Sequence, residues 1–416
     1  MRQHIVGSRQ ISCMALRTQF SRCFHTEKFF NRHDSQCPRR LCTGMGGLDT
    51  QTRHTGRQKI PKKVTIIGAG IGGLTTAIAL KKQGFEVEIY ESTPEFKKAG
   101  SGINLAMNAM QVFKILGVYD DILSGANYIN RMNSTRKDLS VLASADFRSL
   151  ENEFGVKSVA IHRAVLHEIL VKHLGDVPFH LNKRLQTLSQ GEESVTLSFD
   201  DGTTAEVEMV IGADGIHSKV RNALFPDSEL RDAEQVCWRG IAKTELKSEY
   251  KAQLNEAWGK GKRFGFVQIA PGEVYWYALI DKSDFTSKDV DLTHVFQGYH
   301  PEILQIIKDT ATEAIIFNEI WDLNPIQNWH MGRVCLLGDA AHATTPNMGQ
   351  GAVQAIESAL ALSLALKKEA SIKDAFNKFQ EMRFEKANEV IKTSWRIGKI
   401  GQSNSAFKIF IRNLIV

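Results

Sequence analysis

One stretch limits what this chain can fold into more than any other: VTIIGAGIGGLTTAIALKKQGFEVEIYE, from Val64 to Glu91. Residues 64 to 67 are apolar and mostly β-branched, as in a strand buried on both faces. Gly68, Gly70 and Gly73 then fall in a G-x-G-x-x-G pattern, with Gly72 between the last two. In such a turn the first glycine permits a tight reversal and the second lets a pyrophosphate approach the backbone. The third lets the helix lie close to the strand. Leu74, Ile78 and the stem of Lys81 recur at helical spacing, and Gly84 suits the helix end. Val87 and Ile89 predict the next strand, and Glu91 closes it where an acid accepts hydrogen bonds from a ribose. Strand, turn, helix, strand and acid agree, which favours a dinucleotide site over a glycine-rich turn without a ligand. The motif alone does not separate FAD from NAD.

At 416 residues the chain exceeds one typical domain, and two are expected. Its charge of +6 is unevenly spread. The first 63 residues hold 13 basic and 3 acidic residues, leaving 39 and 43 for the rest. The body is therefore mildly acidic and gives no footprint for nucleic acid. Arg2, Arg9, Arg17 and Arg22 precede the first acid, Glu27, among Ser, Thr and apolar residues. Three readings of this leader stand: a mitochondrial transit peptide, an over-called start with synthesis beginning at Met45, or a disordered tail. Localisation is accordingly mitochondrial or cytoplasmic. Four of six cysteines lie in the leader, and the body keeps only Cys237 and Cys335. That pattern suits a reducing compartment and offers no metal site. No apolar run approaches the ~20 residues of a membrane span. The sequon at Asn133 reads as idle without a secretory signal.

Along the body, residues 108 to 117 predict a helix ending at Gly117, and residues 128 to 147 are strand-rich. Residues 161 to 174 predict an amphipathic helix with Leu166, Ile169, Leu170 and Leu174 on one face. Residues 194 to 215 predict a hairpin turning at Asp201-Gly202 and then a buried strand. Residues 236 to 320 are aromatic and alternating (RFGFVQIA, EVYWYALI, EAIIFNEIWDL), as in an antiparallel sheet. VCLLGDAA, 334 to 341, is again a buried strand entering a turn. Helices are expected over 352 to 367 and 372 to 395. The apolar ending RNLIV reads as a truncation.

Three distant signals carry the chemistry: GAGIGG, then IGADGIHSKVR at 211 to 221, then GRVCLLGDAAHATTPNMGQGAVQAIESA at 332 to 359. In this order and spacing they resemble the FAD-dependent aromatic hydroxylases, the class A flavoprotein monooxygenases, over most of residues 62 to 395. TPNMGQGAVQAIES and the WDLNP lead-in are most similar to the urate-hydroxylase and zeaxanthin-epoxidase branch, with tetracycline-inactivating monooxygenases more distant. The resemblance implies an α/β fold. A discontinuous Rossmann-like FAD-binding domain of the GR2 type would use residues 62–127, 155–230 and 330–368. An inserted, mostly antiparallel β-sheet substrate domain would use 128–154 and 231–329. C-terminal helices would use 369–416, after a leader at 1–60.

The same resemblance assigns residues. Gly68 to Gly73 and Glu91 would hold the AMP half of FAD, and Asp339 the ribityl chain. Gly349, Gln350 and Gly351 precede a helix whose N-terminus would face the flavin ring and favour its anionic reduced form. Pro346 matches the proline beside the ring, and Asn108 the helix-opening asparagine. Arg163 matches an arginine on the pyrophosphate, against an exposed helix arginine as the plainer reading. Asp214 matches an acid reaching toward the pyrophosphate and linked to pyridine-nucleotide binding, while Arg221 is either part of that motif or a structural partner of a carboxylate. Gly100 and Gly102 suit backbone passing close to a ligand. Two departures stand out: Ser92 replaces a common arginine, and Glu357-Ser358 replaces Glu-Asp.

The implied activity uses FAD with NADPH or NADH and O2, an oxygen carried at flavin C4a as a hydroperoxide being passed to a small aromatic or cyclic substrate. Arg239 and Tyr275 are the candidate substrate-positioning residues, with Tyr277 and Gln268 as further candidates. For all of them core packing is the alternative. His342 reads as a local anchor rather than a base. An isoprenoid or carotenoid-type epoxidase and a flavin-binding protein without turnover are the alternatives, and a monomer or weak dimer is expected.

Overall fold

The computed structural model describes residues 58–96, 101–405 and 409. The leader, Gly100 and the apolar ending lie outside them.

Strand Lys63–Ile67 sits inside a six-stranded sheet. Its parallel neighbours are Val210–Gly212 and Glu86–Tyr90. Val334–Leu336 adds on one side and Phe179–His180 on the other, both parallel, and His330–Met331 closes an edge antiparallel. Val64, Ile66, Ile89, Ile211 and Leu336 are wholly buried, which explains the unbroken apolar runs in sequence. Helix Ile71–Lys82 follows the first strand and packs beside helix Gly351–Lys368. Parallel pairing has a functional consequence. It places the ends of three strands side by side, so Gly68, Ala213 and Leu337 emerge at one edge of the sheet although some 270 residues of chain separate them.

A second sheet of seven strands runs Ile316–Leu323, Leu230–Lys243, Glu273–Asp281, Lys262–Ala270, Gln253–Trp258, Arg131–Arg136, Val141–Asp146. All neighbours are antiparallel except Gln253–Trp258 with Arg131–Arg136. One face carries Trp238, Phe264, Phe266 and Trp276, buried under residues 292–307. The other face roofs a cavity. Asn133 of the sequon lies buried inside this sheet, donating to Gln253 Oε1 and Asn255 Oδ1.

Several elements differ from the sequence expectations. The helix expected over 161–174 begins at Arg163, because Ser158–His162 is a strand paired with Gly102–Leu105. His162 then caps that helix by accepting from the Ala164 N–H at 3.1 Å. Leu166, Leu170 and Leu174 are buried as expected, and Ile169 is half-buried. Leu185–Gln190 adds a third strand to the expected hairpin. Gln253–Trp258 and helix Pro301–Lys308 had no clear sequence signal. The last helix is longer than expected, Ile372–Gly401.

Candidate active site

The glycine turn is shaped by close approach. A Cβ on Gly68, whose φ is +104°, would lie 2.5 Å from the Ala213 carbonyl oxygen. One on Gly73 would run into the Gly68 carbonyl oxygen. Gly72 abuts Ala355 and Leu337, tying the turn to helix Gly351–Lys368, whereas a Cβ on Gly70 would meet nothing within 4 Å. Gly70 thus faces open space beside the helix N-terminus, where a pyrophosphate can approach backbone. Glu91 lies across the turn, one oxygen accepting from the Ala69 N–H at 2.6 Å and the other from Thr93 N–H and Ser92 Oγ. Ser92 therefore supports the acid.

A cavity of about 530 Å³ opens between the two sheets. Its floor includes Asp339, Pro346, Gly349, Gln350 and Gly351. Asp339 starts a short helical turn after Gly338, and its carboxylate accepts no hydrogen bond within the described residues. Its side chain is exposed to the open cavity, yet the protein that encloses the site still pushes its pKa up, with the charge of Arg163 pulling against that. No side chain caps helix Gly351–Lys368 at Gln350, so its dipole end opens toward the cavity. The floor thus offers an unpartnered carboxylate and an uncapped helix N-terminus, which suit a polyhydroxyl chain and an electron-rich ring. Together with the open space at Gly70 and the acid at Glu91, they fit FAD.

The other expected residues have mixed placements. Arg163 is exposed at its helix start, near enough to Asp339 and Tyr275 to influence both. Asp214 turns both oxygens to the helix Lys219–Leu224, accepting from Ser218 Oγ at 2.5 Å and from the Lys219 and Val220 N–H groups. Arg221 is buried and donates to the Ile216 and Ala340 carbonyls and to Ser228 Oγ, with Asp214 acting on it only through space. Gly102 lines the cavity, but the room left by its missing side chain is filled by the Tyr275 ring. Gln268 does not line the cavity; it donates to Asn127 Oδ1.

Asn108 donates to Glu357 Oε1 at 2.6 Å, and Arg383 and Lys386 pair with the same carboxylate. Burial works against ionisation of Glu357, yet the two cations hold its pKa below the usual range. His342 is buried against Trp329, bonded to Ser358 Oγ at 3.1 Å, with its pKa pushed down to about 3 by burial and the Arg383 charge. A ring so reluctant to take a proton is an anchor. Glu357 and Ser358 thus tie the flavin-side helix to helix Ile372–Gly401.

The roof holds Arg239 and Tyr275 as expected, and more besides. Arg239 donates to Asn318 Oδ1, and its buried Nε has no partner. Tyr275 has its pKa pushed up to about 12 by burial, so its phenol stays neutral. Tyr277 donates to Glu256 Oε2. Glu256 also pairs with Arg263 at 3.1 Å, and Arg263 reaches Asn347 in the floor and Gln402. Arg263 and Glu256 were missed in the sequence, although alternation in KRFGFVQIA puts Arg263 on the face of Gly265 and Val267.

Residues 62–390 match the protein family described as FAD binding domain. The chain belongs to the FAD-dependent monooxygenases. It is 34% identical to aurachin C monooxygenase/isomerase of Stigmatella aurantiaca, over 85% of this chain and 93% of that one. It is 32% identical to 2-heptyl-3-hydroxy-4(1H)-quinolone synthase of Pseudomonas aeruginosa, with the same coverage. The solved structure of Klebsiella pneumoniae HpxO complexed with FAD and uric acid superposes with a TM-score of 0.78 at 26% identity, covering 84% of this chain and 91% of that one. FAD is therefore the cofactor of this monooxygenase family, and the reading as a flavin binder without turnover gives way to an enzyme.

Proposed function

We propose that this enzyme hydroxylates a small aromatic or cyclic substrate, with NADPH or NADH as electron donor and O2 as oxygen source. The observation that carries the reading is one cavity with two unlike walls: Asp339 and the uncapped helix end below, Arg239 and Tyr275 above. Gly68 to Gly73, Glu91 and Asp339 would hold FAD, with Arg163 on its phosphates. FAD held there would supply the redox and oxygen-transfer chemistry. Arg239 donates toward a carbonyl or anionic oxygen of the substrate, and the neutral Tyr275 phenol orients it. The sheet above excludes water from the reacting edge. The pyridine nucleotide would visit the same FAD-binding face, since no second glycine fingerprint follows the first. A monomer or weak dimer suffices for this site.

The test is NAD(P)H oxidation and O2 uptake by the purified yellow protein, with and without urate, phenols, tetracyclines, carotenoids and quinolones. Substrate-stimulated consumption with a product heavier by one oxygen is expected. An FAD-loaded enzyme that no ring accelerates would contradict the reading. Import of a reporter carrying residues 1–60 separates the mitochondrial from the cytoplasmic reading.

A further inference from the structure

The cavity roof changes character across its width. From strand Leu230–Lys243 toward strand Arg131–Arg136, its inward side chains run from Arg239 through Tyr275 and Tyr277, then Arg263 and Glu256, to Leu254 and Met132. Past Met132 the walls are Ile129, Phe147 and Leu150. Ile129, Leu254, Met132 and Phe147 form one apolar contact cluster, yet all four also face open volume. Protein interiors are otherwise close-packed, and water gains few partners against such walls. An apolar occupant fits there.

The polar part of the lining is also incomplete. Two buried atoms in the cavity wall have no partner, the Arg239 Nε donor and the Asn104 Oδ1 acceptor. Buried polar atoms in native proteins are rarely left so. Neither atom has accessible surface of its own; what a ring with a hydrogen-bonding edge would meet are the other polar atoms of Arg239 and Asn104, residues that line the same cavity as the apolar walls.

We propose that the apolar arm bounded by Ile129, Met132, Phe147, Leu150 and Leu254 receives an aliphatic chain on the substrate ring. The substrate class is then an amphipathic heteroaromatic ring: a hydrogen-bonding edge held near Arg239 and a hydrocarbon tail in the arm. This rests on the monooxygenase reading above and deepens it.

The test uses the FAD-loaded enzyme and 2-alkyl-4(1H)-quinolones bearing methyl, propyl, pentyl and heptyl chains. Dissociation constants come from calorimetric titration, and kcat/KM from NAD(P)H oxidation. Affinity should rise about threefold to fourfold per added methylene until the arm is full. Met132→Gln should weaken the heptyl ligand about tenfold more than the methyl ligand. Phe147→Ala should move the best length toward longer chains. Affinity independent of chain length, with the methyl ring still turned over, would overturn the arm and leave the monooxygenase reading standing. Affinity that climbs with length but no turnover of any ring would keep the arm and sink that reading. Failure of every member to bind, or equal losses across lengths in both variants, also overturns the arm.

Discussion

The floor and the roof of the cavity are built by different means. The floor side is shaped by backbone: a helix end with no side-chain cap and one carboxylate without a hydrogen bond among the described residues, beyond them a glycine turn in which Gly68 and Gly73 have no room for a side chain. The roof is made of side chains that reach inward from five adjacent strands and depend on register. A one-residue slip in Glu273–Asp281 would turn Tyr275 and Tyr277 into the aromatic core and Trp276 into the cavity. The floor should therefore tolerate almost no change of shape, and the roof should tolerate changes of size but not of charge balance.

The harshest way to break that contrast is Gly73→Ala. Its methyl group has nowhere to go, so folded yield and FAD content should both collapse, whereas Gly70→Ala should fold with an unchanged melting temperature and weakened FAD binding. Melting temperature and bound flavin together distinguish the two. If Gly73→Ala behaves like Gly70→Ala, the floor is not shaped by close approach.

Next in size is the buried pair in the roof. Arg263 is 1% exposed and Glu256 6%. Arg263→Ala strands the carboxylate and should cost about 3–5 kcal/mol in denaturant unfolding. Pairing it with Glu256→Gln should recover part of the loss. A cost no larger in the single than in the double variant would show the pair to be uncoupled.

Asp339→Asn is the milder floor lesion. Losing a charge-assisted hydrogen bond to the cofactor is worth about 1.5–3 kcal/mol, roughly ten- to 150-fold in FAD affinity. Flavin fluorescence titration of the apoprotein measures it, and the melting temperature of the apoprotein should stay put. An unchanged FAD affinity would remove Asp339 from the cofactor site.

The smallest effect near neutral pH belongs to His342. Its folded pKa of about 3 lies below the ordinary 6.5, so between those values the unfolded chain binds the extra proton. Stability should fall as pH drops through that window, by up to ~1.4 kcal/mol per pH unit from this group. His342→Asn should flatten the acid limb of a stability–pH curve. A curve of unchanged slope would mean that another group sets it.

Legibility in sequence follows the same division. Four strands of the six-stranded sheet, the glycine turn and the segment from Asp339 to Gly351 could be read directly, because each is a local pattern: apolar run, glycine spacing, helix start; the two-residue edge strands Phe179–His180 and His330–Met331 are too short to leave one. The roof could be read only in part. Arg239, Tyr275 and Tyr277 were suggested by alternating aromatic strands, but which alternate faces the cavity depends on partners far along the chain. Gln268 illustrates the difficulty, since it shares a strand with Arg263 yet turns away from the cavity. Gln253–Trp258, which supplies Glu256, is too polar for a strand signal; Asn255 Oδ1 and the Glu256 carboxylate find their partners in Asn133, Arg263 and Tyr277 on other strands. His162 was hidden for a similar reason: a capping side chain overrides the periodicity that predicted an earlier helix start.

One long cofactor, reaching from the glycine turn to the uncapped helix end beneath the roof, would join all of these features. The most direct measurement is titration of the purified apoprotein with FAD, followed by flavin absorbance, alongside Glu91→Ala and Asp339→Asn. One FAD per chain, weakened by both substitutions, is the predicted result. A protein that folds, stays colourless and takes up no added FAD would contradict it, as would binding that neither substitution disturbs.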